Sequence, residues 1–262
     1  MTRKPTDSRA RIYAFEMDFN RLNAHPRDPH ICFDAETHTY TLGSEVFDSV
    51  TTIVDDCFEK FDADYWATVK SRGDEAQRRR LLDEWERKGR EAREAGTLMH
   101  ERIERHYLGC EPDPGSECDP TFIRFLAFAR EFVLQPYRSE WRIYSEPYRI
   151  AGTLDFLERL PDGRFVIYDW KRSTKVVSPE GRVLDNCYGR TARRPISTLQ
   201  DTTYNHYALQ VSIYRYILEL HYGIRVSEAY LGVFHPDMPG YYRVALPYLR
   251  DEAEALLKSR LQ

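Results

Sequence analysis

A mixed α/β (α+β) fold, with a central mixed β-sheet flanked by helices and an N-terminal helical and β-hairpin attachment, is what this sequence predicts. Three observations carry that expectation. Segments of period two and segments of helical period alternate along the chain without strict βαβ order. Glu140–Glu146, Arg149–Leu160 and Arg164–Lys171 follow one another closely, as neighbouring strands do. Apolar residues make up 42% and charged residues 31%, with 18 Tyr and 13 Phe, a globular composition with material for a large core.

The elements fall in order. Residues 1–29 are polar and without strong period, and are expected to form an arm or a peripheral helix. Residues 30–262 are expected to make one domain, 30–135 as strands and a helical wall and 136–262 as its core. From Ile31 to Val54, Thr, Val, Tyr and Phe around turn residues predict short strands. Ala63–Leu108 predicts one helical stretch, with Trp85, Ala92, Met99, Ile103 and Tyr107 as its apolar stripe and Gly109 as its stop. Thr121–Leu134 predicts an amphipathic helix with Phe122, Phe125, Leu126, Ala129 and Phe132 inward. After the three strands comes a polar segment, Ser173–Thr203. Then follow a helix over Tyr204–Tyr222 ended by Gly223, strands at Val226–Phe234 and Tyr241–Leu246, and a closing helix, Arg250–Leu261.

The formal net charge is −4, which argues against a wholly basic coat protein and leaves room for a local basic groove. Five scattered Cys with no C-x-x-C pair predict reduced thiols and no zinc site. No apolar run is long enough for a bilayer and the first residues lack a signal-peptide core, so an intracellular, non-membrane protein is expected.

The chemistry is expected in IAGTLDFLERLPDGRFVIYDWKRS. Pro161-Asp162-Gly163 suits a three-residue hairpin loop, which pairs Leu160 with Arg164 and sets Asp155 opposite Asp169. Opposed residues share a face with Cβ atoms roughly 4.5–5.5 Å apart, so two carboxylates there call for a positive charge between them. Lys171, two residues after Asp169, points to the same side, with Phe165 and Ile167 behind it and Val166, Tyr168 and Trp170 on the other face. Two carboxylates and an ammonium at the end of a buried strand suit Mg²⁺ or Mn²⁺ and a water held by the lysine. A surface salt-bridge cluster is the competing reading of the same residues.

GTLD followed by YDWK resembles the RecB-like exonuclease branch of the PD-(D/E)XK nucleases, a group that includes a mitochondrial genome maintenance exonuclease and viral or phage relatives. EAGTLMHERIE resembles the upstream G-T-x-x-H helix, QVSIY the Q-x-x-x-Y motif, and SVTTIV the opening of the exonuclease-like subgroup. The resemblance runs from about Phe33 onward with its motifs in order. It implies a restriction-endonuclease-like core and metal-dependent hydrolysis of DNA, with His100, Asp155 and Asp169 as metal ligands and Lys171 catalytic. It adds Gln210 and Tyr214, and Glu146 as an acidic position ahead of GTLD. It implies DNA, single-stranded or at duplex ends, as partner, and a helicase or recombination protein by analogy. Iron–sulfur clusters in some relatives use Cys after Q-x-x-x-Y; none follows Cys187 here, so no cluster is expected.

Arg172, Lys175, Arg190, Arg193 and Arg194 are expected to meet phosphates along a groove, against the alternative of a solvated loop. Without the family, His100 reads as a hydrogen-bonded core histidine, Tyr214 as packing, and Glu140 as a structural carboxylate. An inactive nucleic-acid-binding protein on the same fold and a site-specific endonuclease are the rival functions.

Overall fold

The computed structural model describes residues 18–185 and 188–261. The expected arm therefore lies outside the described residues over 1–17, as does Cys187. Eight strands build one mixed sheet: β1 (Ile31–Asp34), β2 (Thr39–Leu42), β3 (Glu45–Ser49), β4 (Pro136–Ser145), β5 (Ile150–Arg159), β6 (Phe165–Lys171), β7 (Val226–Phe234) and β8 (Tyr241–Ala245). The order is β1-β2-β3-β5-β6-β7-β8, with β4 paired to β5 alone. β3/β5 and β6/β7 are parallel and the other pairs antiparallel.

The seven helices assigned among the described residues are α1 (Phe19–Leu22), α2 (Val50–Asp56), α3 (Ala63–Ser71), α4 (Glu75–Tyr107), α5 (Pro120–Glu131), α6 (Thr203–His221) and α7 (Arg250–Ser259). One face of the sheet carries α2, α6 and α7 around Val50, Ile143, Ile167, Leu209 and Leu257. The other carries α5 and the end of α4, where Met99, Ile103, Phe125 and Phe128 meet Phe156, Tyr168 and Trp170. Ile167 on the first face and Trp170 on the second follow the alternation expected of β6. A fully buried side chain of this size contributes about 1.5–3 kcal/mol.

Residues 18–28 cover the outer edge of β4. Asn20 bonds Ser139, and Asp28 accepts from Arg138 and from the Trp141 indole at 2.7 Å each. These bonds cover an edge that, among the described residues, pairs with no further strand.

The sequence expectations differ from the structure in two elements. Val50–Val54 belongs to helix α2, not to a strand: Val50, Ile53 and Val54 are buried at helical spacing, and that packing overrides their β-branched preference. The stretch 63–108 is two helices. Arg72 (φ 50°) and Gly73 (φ 93°) turn the chain left-handed, and Asp74 caps α4 by accepting from Ala76 and Gln77. Of the expected α4 stripe, Met99 and Ile103 are buried while Ala92 is exposed.

Two sequence motifs touch. A Cβ on Gly152 would stand 2.6 Å from a ring carbon of Tyr214 and 3.1 Å from its hydroxyl, so only glycine admits that ring against β5. Gly152→Ala is expected to lower stability by about 1–3 kcal/mol, the usual range for overpacking. Combined with Tyr214→Ala the loss should be less than the sum of the two, as measured by urea unfolding; strict additivity would sink the contact.

Candidate metal centre

The centre lies where β5 and β6 part. Leu160 and Arg164 close the hairpin as expected, and the ladder runs from Arg159↔Phe165 to Phe156↔Tyr168. Beyond that pair β6 continues along β7 as far as Lys171↔Val233, and β3 joins β5 only at Ile150 and Ala151. Asp155 and Asp169 thus stand next to the last rung, at a fork, rather than being a ladder pair. Oδ2 of Asp155 accepts the Trp170 N–H at 2.7 Å, the bond a partner strand's carbonyl would otherwise take.

Asp155 is 8% and Asp169 1% exposed, so each carboxylate has lost most of its water. Burial pushes both above the ordinary carboxylate range, Asp169 to about 6, against the pull of Lys171 and His100. Nζ of Lys171 lies 2.5 Å from Oδ2 of Asp169. Neither Asp169 oxygen accepts a well-aligned hydrogen bond, so that contact is an ion pair with coordination capacity to spare. Lys171 also lies 4.8 Å from the Tyr207 ring centre. Burial opposes its charge, but Asp169 and Asp155 outweigh it and hold the ammonium protonated.

His100 reaches over from α4. Its Nε2–H donates to the Trp170 carbonyl at 3.0 Å, and Nδ1 lies 3.4 Å from Oε1 of Glu140 and 3.6 Å from Oδ1 of Asp155. Burial lowers its proton affinity, yet Asp155 and Glu140 together drive it up to about 9. Ligand atoms of His100, Glu140 and Asp155 all fall within 4.8 Å of one another. Oxygen donors with one imidazole suit a hard divalent cation, and the underused Asp169 carboxylate beside them fits the same demand.

Glu140 has no signal in the sequence beyond its place on a strand. It lies across from Asp155, between the pairs Trp141↔Leu154 and Ser139↔Phe156, and adopts φ 44°, a left-handed conformation rare for a non-glycine residue. Glu146, the acidic position expected ahead of GTLD, lies apart from this cluster. It sits in the β4–β5 turn, pairs with Arg27 at 3.5 Å and keeps 57% of its side chain exposed. The register places that turn beyond Ile150, about 16 Å along β5 from Asp155 at strand rise.

Gln210 and Tyr214 come to the same place from α6. Both are buried, and the Gln210 amide donates to the Tyr214 hydroxyl at 3.1 Å. Tyr214, wedged on Gly152, stands in the field of Asp169 and Asp155, and burial raises its hydroxyl well above the usual range. The expected phosphate contacts are scattered along the segment after β6. Lys175, Arg193 and Arg194 are exposed, Arg172 is half-buried beside Thr121, and Arg190 pairs with the buried Asp201 at 3.4 Å.

Buried carboxylates, a histidine and an ammonium at a fork in a mixed sheet are the donor types that could hold a metal ion beside a hydrolysed bond. The sequence profile of the PD-(D/E)XK nuclease superfamily matches residues 49–260, and the chain belongs to that superfamily. The crystal structure of SSO0001 is similar at a TM-score of 0.35 and 14% identity, over 97% of this chain and 85% of that one. No curated protein matches the sequence.

Metal binding should release a proton. His100, protonated below about 9, must be neutral to ligate, and Asp169 must be ionised, above about 6. Affinity should therefore rise with pH from 6 to 9, with about one proton released per Mn²⁺ at pH 8. Calorimetry in buffers of different ionisation enthalpy reads this; pH-independent binding without proton release would contradict it.

Proposed function

We propose that this protein is a metal-dependent deoxyribonuclease, an exonuclease acting on single-stranded DNA or DNA ends in replication, recombination or repair. The observation that carries the reading is the ammonium of Lys171 at 2.5 Å from the buried Asp169, beside the cluster of His100, Glu140 and Asp155. Residues 30–262 act as one nuclease domain, intracellular by this reading. Among the described residues no helix is long and apolar enough to cross a membrane.

Asp155, Asp169 and His100 hold the cation, Mg²⁺ or Mn²⁺, with Glu140 as a further donor. When bound, the ion supplies a Lewis acid for the scissile phosphate and an activated water. Lys171, fixed by Asp169 and Tyr207, orients the attacking water and stabilises the charge that develops on the phosphate. Tyr214 and Gln210 hold the β5 side of the fork in register with α6. Lys175, Arg193 and Arg194 offer free cations to the DNA backbone, while Arg190 serves Asp201. No iron–sulfur cluster belongs to this reading, since no Cys follows Cys187. A helicase or recombination partner rests on family analogy alone.

End-labelled single- and double-stranded DNA with Mg²⁺ or Mn²⁺ tests the reading. Wild type should cut only with metal, and Lys171→Ala should lose about 10³-fold or more, the scale of a removed general acid–base or charge-stabilising group. Linear strands should be degraded and circular strands spared. DNA binding without cleavage in any metal would point instead to an inactive binding protein on this fold.

A further inference from the structure

Past Lys171 the centre opens into a pocket of about 380 Å³ between α2 and α6. Thr51 and Asp55 line it from α2, and Thr203, His206, Tyr207 and Gln210 line it from α6. A larger groove, about 940 Å³, lies at the hairpin end of the sheet, where Arg164 and Arg215 already pair with Asp162 and Glu219. The smaller pocket shares Lys171 and Gln210 with the centre, so whatever occupies it adjoins the reacting phosphate.

Its walls are held in place. The His206 ring stacks on Phe58 with centroids 3.8 Å apart and planes at 24°, and its Nε2 lies 2.8 Å from Oδ1 of the buried Asp201. Tyr207 is held by packing and by the ammonium of Lys171 near its ring. Fixed rings with a few hydroxyls and one amide suit the face of a base or sugar, and the volume suits about one nucleoside.

Charge decides which nucleoside enters. Lys171 is the cation at the centre's side; among the described residues no arginine lines the pocket, and its other basic group, His206, is already paired with Asp201. Asp55 brings a carboxylate from the last turn of α2. Tyr207 stands in the field of both Lys171 and Asp55. A nucleotide within a strand carries a phosphate on each side. One phosphate is served at the centre; a second would face Asp55.

We propose that this pocket seats the terminal nucleoside of the strand being cut, and that Asp55 selects an end bearing a free hydroxyl over one bearing a phosphate. The carboxylate accepts a hydrogen bond from the terminal hydroxyl and repels a terminal phosphate. Asp55 is a specificity residue on this account, and the account rests on the nuclease reading above. It assigns release of single nucleotides from a hydroxyl end.

The test uses four single-stranded oligonucleotides of one sequence, with hydroxyl or phosphate at the 5′ end and at the 3′ end. Cleavage is followed with Mn²⁺, and binding is followed separately in chelator. Wild type should prefer the hydroxyl form by about tenfold or more at one of its two ends, in both readouts, as expected for a like charge at close range. Asp55→Asn, of equal size and uncharged, should reduce that ratio to about threefold or less, chiefly by improving the phosphate form. Cleavage indifferent to terminal phosphate, or a preference unchanged in Asp55→Asn, overturns the pocket assignment and leaves the nuclease reading standing. An end preference in binding that Asp55→Asn removes, without cleavage in any metal, sinks the nuclease reading and keeps the pocket.

Discussion

The structure around the centre depends on one costly arrangement, two carboxylates buried side by side with too few hydrogen-bond donors. Asp155 satisfies one oxygen with the Trp170 N–H, and Asp169 relies on an ion pair with Lys171. Removing carboxylates from water favours their neutral forms, and burial is the leading cause of the upward shift at both. The protein answers with positive charge. Lys171 is held as an ammonium, and His100 takes a proton that Asp155 and Glu140 stabilise. His100 thus carries charge of the kind that a divalent cation would bring, and on the proposed reading the two would exchange.

The rest of the fold keeps that arrangement in place. The fork exists because β6 leaves β5 after one short ladder and follows β7. α6 fills the space on one face, with Tyr214 lodged against Gly152 and Tyr207 beside Lys171. On the other face α4 delivers His100, and its buried Met99 and Ile103 fix the helix against Phe156 and Trp170. Arg102, also on α4, ties that helix to the following loop through Asp113 and Asp119. A residue that never touches the substrate can therefore matter by holding the imidazole at the Trp170 carbonyl.

Much of this was legible in the residues. Pro161-Asp162-Gly163 set the hairpin register, and the alternation of β6 put Asp169 and Lys171 on one side with Ile167. That the strands part just beyond Phe156↔Tyr168 was not legible, since forking depends on how β3 and β6 share one edge of β5. Glu140 was hidden for a related reason. Its place at the centre comes from a left-handed backbone within a strand, and no local pattern marks it. α2 was misread because Val, Thr and Ile favour strands when read singly, while their burial at 50, 53 and 54 favours a helix. The α3–α4 break carried its own signal, Gly73 followed by Asp74, inside an otherwise continuous charged pattern.

The most direct test of the charge exchange is thermal unfolding in chelator and in saturating Mn²⁺, for wild type and for Asp155→Asn. Metal at about 100 times its Kd stabilises a protein by about 2.7 kcal/mol when only the folded state binds. Wild type should gain a clear rise in Tm with metal, and Asp155→Asn should gain much less. Its uncharged amide should also bring its Tm in chelator to or above that of wild type, because a buried charge has been removed. Identical melting of wild type with and without metal would contradict the claim that these carboxylates are built around a cation.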